Sequence, residues 1–431
     1  MRGRTLLLGM ALLAGGCAPG HSPSEGEDNL HVGPAPLLYV WAGDLDQRPS
    51  DTDFLAVLDS DPESPQYGEI IATAPAGAVG TNPHHAEPVA PTSALLFANG
   101  YRSGRTFLFD LAVPGAPVLS AELAPVPGFS FPHSFLRLSD GDLLATMQYG
   151  DGSMPGNPGG LAKFDSDANL ISVTSAADPE FEGERIRPYS VEAIPELDRL
   201  VTTSRTMNIS TEQAADLVQI WRLSDSALLN TLRVPRVEPA DGPECVLGIG
   251  ERCRAEQYPA EAQPFESRAM NDGSVIMNTL MCGLYRISEI HTSEPAIELA
   301  LNYPDLLGCS VPAVMDDFLI LPVMFSETIL VIDISDPTDI KEASRFNTPG
   351  YQPHWAAADP GSSRVVVTSS GPAATHTVLM FEFHAGSGLL TLDDAFGSPE
   401  FPRAGVSFYR ENWPHGQTGT AIPHAALFGY R

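Results

Sequence analysis

Four histidines of this chain follow a proline and open a short apolar run: His84 in TNPHHAEPVA, His133 in FSFPHSFLRL, His354 in GYQPHWAAAD and His424 in AIPHAALFGYR. The first is doubled by His85. Neutral imidazole suits Cu, Zn, Fe or Ni, so histidines that meet in space form the donor set of a transition-metal centre. The proline ahead of each fixes an extended entry and removes a backbone donor. Glu87 lies close enough to His85 to orient a ring or to ligate, and Tyr189 in RPYSVEAIP offers a proton donor or an outer ligand. A plainer alternative stands beside this one. The slot after proline also accepts Tyr189 and, in QPFESRAMN, Phe265, so Pro-His could be a structural cap. His415 in ENWPHGQTG reads as a loop residue, and His291, His376 and His384 fall in loops or outer strands. His21 and His31 lie near the N-terminus in a polar stretch.

The elements that would carry these residues are strands. Short β-rich apolar runs cut by Gly, Pro, Asp and Asn follow one another through the chain, and STEQAADLV is the one short helix candidate. Aligned on the proline step, the runs repeat as an opening strand and three more. Units open at His84, His133, Tyr189, Phe265, the Val311-Pro312 step and His354. The N-terminal runs LLYVWAG, DFLAVLDSD and GEIIATAP lack an opening strand, and the terminal PHAALFGYR is an opening strand with nothing after it. Together they complete a seventh unit. Such units, set radially, give an all-β, seven-bladed β-propeller closed by strands from both ends of the domain, which removes exposed sheet edges. The opening strands would line the channel, bringing His354, His424, His84 and His133 together on adjacent blades.

The remaining features bound the setting. MRGRTLLLGMALLAGGC reads as a secretory signal over residues 1–16, ending in a lipobox-like LAGGC that would lipidate Cys17. A Pro-, Gly-, Ser- and acid-rich tether over 17–36 would follow, then a single propeller domain over 37–431 with an insertion at about 235–263. The chain would be an exported bacterial lipoprotein, periplasmic or at the cell surface, held to the membrane by its acyl chains alone. With 54 acidic and 24 basic residues, the net charge of −30 argues against nucleic acid and anionic membrane surfaces as partners. Four cysteines besides Cys17 suggest two disulfides in an oxidising compartment, Cys245 with Cys253 and Cys282 with Cys309, though three connectivities are open. No C-x-x-C, G-x-S-x-G, P-loop or H-E-x-x-H motif offers another chemistry.

DTDFLAVLDSDPESPQYGEII, PHHAEP, FPHSF, PGGLAKFD, VLMFEFHAGSGLLTLDDAF and the terminal IPHAALFGY resemble the selenium-binding protein family, which includes methanethiol oxidases. The resemblance covers most of the chain from about Leu37 and is diffuse between Pro188 and Gly350. It implies a β-propeller that binds copper through histidines. The implied activity oxidises methanethiol with oxygen and water to formaldehyde, hydrogen sulfide and hydrogen peroxide. By motif it carries the metal role to His84, His85, His133 and His424; His354 comes from the ring argument alone. The cysteine-rich stretch that follows the paired histidines in many members is missing here. The expectation is a copper oxidoreductase acting on a small thiol and O2, with zinc or iron as lesser candidates for the metal. The alternative is a non-catalytic metal-binding or interaction propeller.

Overall fold

In the computed structural model, strands alternate with tight turns through the whole described chain, and the only helical segments there are short 3-10 turns. The described residues are 33–45, 51–91, 95–151, 157–207, 214–235, 262–369, 376–397 and 404–430, with the backbone of Cys245–Leu247 and Glu251–Cys253. The expected signal segment, Cys17 and most of the tether and insertion lie outside them. So do the side chains of Cys245 and Cys253, whose backbones face each other in a small hairpin.

Seven antiparallel sheets follow in order, each a run of four strands, with the short strand Val406–Ser407 added to the sixth against Thr377–His384; this is the seven-bladed propeller anticipated from the repeat. Blades 1 to 6 open with Pro83–Ala86, Phe129–Arg137, Pro188–Ile194, Pro264–Ala269, Ala313–Met315 and Pro353–Ala358. Blade 7 is composite: Ala421–Gly429 pairs antiparallel with Leu37–Asp44, which continues to Phe54–Asp59 and Ile70–Pro75. Residues 210–213 of the helix candidate lie outside the described residues, and its remainder is not helical. Leu217 and Val218 begin the strand Leu217–Arg222 of blade 3, where both are fully buried, and Ala214–Asp216 is irregular. Tertiary burial outweighs the weak local preference.

Burial follows radius. The middle strands Phe54–Asp59 and Leu143–Gly150 are buried along their whole length because neighbouring blades cover both faces. The outermost strand Lys341–Asn347 alternates between exposed and half-buried residues, as a strand with one wet face should. Apolar clusters seal the gaps between blades; Phe97, Phe135 and Phe164, for example, join blades 1 and 2. A polar clasp joins blade 6 to the closing blade. Arg364 donates to the carbonyls of Ala35 and Ser60 and to Asp359, which also accepts from Tyr430 and from the Ala35 N–H. Cys282 and Cys309 form a disulfide between blades 4 and 5, with Cα atoms 5.1 Å apart.

Candidate metal centre

Each histidine sits in a β-bulge. In blade 1, Pro83 pairs with Gly100 and Ala86 with Ala98, so His84 and His85 together oppose Asn99 alone. The same shift sets His133 and Ser134 against Thr146, Tyr189 and Ser190 against Thr203, and Phe265 and Glu266 against Asn278. His424 and Ala425 oppose Trp41, and His354 is the extra residue of blade 6. A bulge breaks the two-residue alternation and re-aims side chains. This is why His84 and His85, which alternation would send to opposite faces, join one cluster.

The residue opposite each bulge also fixes the next blade. Asn99 accepts the His85 N–H at 2.7 Å and donates to the carbonyls of Pro132 and His133 at 2.8 and 2.9 Å. Thr146 donates to the Tyr189 carbonyl, Thr203 to that of Phe265 and Thr368 to that of His424. The opening strands are thus pinned around the channel one by one. Asn99→Ala would leave three buried backbone groups unpaired at about 1–3 kcal/mol each. Chemical denaturation should show a loss of about 3 kcal/mol or more; a loss below 1 kcal/mol would mean the blades position themselves without it.

The five rings are buried and adjoin one another. Centroids lie 4.2 Å apart for His84 and His424, 4.9 Å for His84 and His133, 4.2 Å for His85 and His133, and 4.6 Å for His354 and His424. One nitrogen from each of His84, His85 and His133 falls within 4.8 Å of the others, a spacing that could hold an ion.

Their protons can be placed from their partners. His133 Nδ1 lies 3.0 Å from the Tyr189 carbonyl, an obligate acceptor, so Nδ1 carries the hydrogen and Nε2 the lone pair. His84 then donates from Nε2 to His133 Nε2 at 3.0 Å, and its Nδ1 accepts from His424 Nε2 at 2.7 Å. The chain of neutral rings ends at His424 Nδ1, a buried lone pair with no partner. His85 Nε2 and both nitrogens of His354 are likewise buried and unpartnered. Nitrogens left bare in this way are costly in a folded protein and are what a metal ion satisfies. The donor set fits a transition metal.

Desolvation favours the form that ligates. Burial holds His133 down at about 3 and His354 at about 4, and it drives His84, His85 and His424 well below the ordinary imidazole range, their neighbouring rings adding to the effect. Tyr189 packs against His133 with centroids 3.8 Å apart and the rings tilted by 33°, and its hydroxyl is buried without a partner. Burial raises that phenol well above its usual value, so it stays a donor.

One carboxylate departs from expectation, and another, not singled out in the sequence, faces the cluster. Glu87 does not orient a histidine: Arg137 donates to both of its oxygens at 2.7 and 2.9 Å and the Phe97 N–H to Oε1, forming a buried tie between blades 1 and 2. Glu266, in the same bulge position as His85, faces the cluster instead, with Oε1 4.0 Å from His85 Nε2. Its signal was present in the repeat, as PFE beside PHH. The Arg205 guanidinium lies over the rings of Tyr189 and Phe265, on the side of the channel without histidines. His415 is tied to Thr73 and Gln417 in the closing loop, away from the ring.

No family model matches the chain. It is 27% identical over 207 residues to a methanethiol oxidase from Hyphomicrobium sp, covering 47% of this chain and 46% of that one. Over 151 residues it is 32% identical to selenium-binding protein 1 of Arabidopsis thaliana, covering 31% of this chain and 30% of that one. This chain resembles selenium-binding proteins. It spans less than half the length of the curated relatives it matches. The X-ray structure of a hypothetical selenium-binding protein from Sulfolobus tokodaii superposes with a TM-score of 0.67 at 15% identity, over 93% of this chain and 97% of that one. At that identity the likeness to the Sulfolobus selenium-binding protein shows the fold alone. Hydrazine synthase from Kuenenia stuttgartiensis also superposes, with a TM-score of 0.51 at 11% identity over 86% of this chain and 99% of that one. A shared fold does not fix the chemistry, and function must be read from the site.

Proposed function

We propose that this protein is a copper oxidoreductase of the methanethiol oxidase type, oxidising a small thiol with O2 in the propeller channel. The observation that carries the reading is the set of buried, bare imidazole nitrogens on adjoining blades. His84, His133 and His424 would hold the ion along the hydrogen-bonded chain, with His85 and His354 supplying the nitrogens that now lack partners. Bound copper supplies the electron transfer that the side chains cannot. Around it, the Tyr189 hydroxyl is the free donor able to hand a proton to reduced oxygen. The positive Arg205 draws a thiolate toward the same end of the channel. The apolar wall of Phe265 and Trp355 excludes water from the reacting sulfur and prefers a small alkyl substituent.

The reaction class is balanced for methanethiol: thiol, O2 and water give formaldehyde, hydrogen sulfide and hydrogen peroxide. The test is elemental analysis of protein from its native source, followed by assay of sulfide and peroxide with methanethiol. Copper near one equivalent and stoichiometric peroxide are expected. Metal uptake without oxygen consumption for any small thiol would leave the non-catalytic metal-binding reading. Absence of metal would remove both.

A further inference from the structure

We infer that Glu266 is a ligand-side carboxylate of the metal centre: its Oε1 and His85 Nε2 face each other across the channel and would grip a cation between them. This rests on the metal reading above and adds to it an anionic oxygen from the opposite side of the ring.

Three observations carry it. Glu266 is only 4% exposed, and its Oε1 has no hydrogen-bond partner. His85 Nε2 is also buried and unpartnered. The two atoms lie 4.0 Å apart, too far for a hydrogen bond and suited to an ion with bonds of about 2.0–2.2 Å to nitrogen and oxygen. Most buried carboxylate oxygens are paired. Oε2 meets that description, because Arg268 donates to it at 3.1 Å. Arg268 is itself fixed on the Pro312 carbonyl at 2.8 and 3.1 Å and the Ser267 carbonyl at 2.7 Å. One oxygen is anchored, and the other is aimed at His85.

The placement has a structural cause. Glu266 is the second residue of the blade 4 bulge, as His85 is of blade 1, and the two side chains approach each other. Ser134 occupies the same position in blade 2, with Oγ 3.2 Å from His85 Nδ1. When Nδ1 donates to that hydroxyl, Nε2 is left as a lone pair toward Glu266. His85, with Ser134 and Glu266 beside it, thus adjoins His84 and His133 in the same cluster. Four or five neutral imidazoles give a divalent ion no counter-charge, whereas Glu266 supplies one. An oxygen ligand also favours Cu2+ or Zn2+ over the softer Cu+.

The experiment titrates full-length protein, stripped of metal, with Cu2+ and separately with Zn2+, measuring affinity by competition and the Cu2+ site by electron paramagnetic resonance. Glu266→Gln keeps the shape and removes the charge. Affinity for Cu2+ is expected to fall at least about tenfold, as when a group adjoining a metal site is removed, with a changed copper spectrum. The surface variant Glu122→Gln should match wild type. Wild-type affinity and an unchanged spectrum in Glu266→Gln, with binding still lost in His84→Ala, would overturn the role of Glu266 and leave the histidine centre standing. Failure of wild type to bind either ion would remove both. Should Glu266→Gln not fold, Glu266→Asp withdraws the charge by one methylene, and an unchanged affinity and spectrum would again overturn the proposal.

Discussion

His84→Ala is expected to empty the centre and abolish thiol oxidation, with metal affinity falling by at least about 100-fold. The basis is its position. His84 is the middle ring of the chain, hydrogen-bonded to His424 at 2.7 Å and to His133 at 3.0 Å, and within 4.6 Å of His85 by centroid. No other histidine contacts so many of the set. Removing it deletes a donor and separates the remaining ones, so the loss should exceed the 10–100-fold typical of partners outside the ligand shell. The variant also leaves His133 Nε2 and His424 Nε2 without partners, at a cost of about 1–3 kcal/mol each. A fold defect and a site defect must therefore be separated. His84→Gln keeps polar contact while weakening ligation, and near-ultraviolet dichroism with a melting curve reports the fold. Copper content should vanish in both variants, while the melting temperature falls more in His84→Ala. Normal sulfide and peroxide production from either variant without metal would end the proposed chemistry.

The first and second residues of the bulges are unequally legible in the sequence. The ring of opening residues could be read because one phrase, proline plus a ring side chain, recurs at a fixed place in the repeat. Closure by the terminal PHAALFGYR followed from strand counting, and the pairing of Ala421–Gly429 with Leu37–Asp44 bears it out. What the sequence does not display is the bulge. Strict alternation leaves the side of His85 undecided and gives no reason to look at the residue after Phe265. An extra residue in the ladder turns both inward, and that depends on pairing with Asn99 and Asn278, which lie in other strands. Glu87 departs from expectation for a related reason. Closeness in sequence to His85 suggested closeness in function, yet beyond the bulge the strand returns to its ladder, and Glu87 meets Arg137 of the next blade. In blade 5 no ring residue follows proline, and Val311 bridges to Trp355, so the weak repeat there matches an irregular opening strand.

The metal-free protein should lose stability steeply as pH falls below about 6.5, and the sign follows from the histidines. In the unfolded chain an imidazole titrates near 6.5, whereas burial holds folded His133 at about 3 and folded His354 at about 4. As pH drops, the unfolded chain takes up protons that the folded ring refuses, so unfolding gains free energy. Above 6.5 both states are neutral and the rings contribute nothing pH-dependent. Below it, each of these two rings costs about 1.4 kcal/mol per pH unit, or about 2 kcal/mol at pH 5, until its folded value is reached. Together that is about 4 kcal/mol at pH 5, before any share from His84, His85 and His424, all shifted in the same direction. Against a typical stability of about 5–15 kcal/mol, the empty centre would bring the fold close to unfolding in mild acid. Bound metal should oppose this, because an ion held only by the native state stabilises it by mass action. Urea midpoints measured between pH 8 and pH 5 test the point: they should fall by the equivalent of several kcal/mol without metal and by less with Cu2+ present. His354→Gln removes one titrating ring and should flatten the slope by about one proton. A midpoint independent of pH in metal-free protein would mean that the rings are hydrated, and a hydrated cluster would have no bare nitrogens to offer a metal.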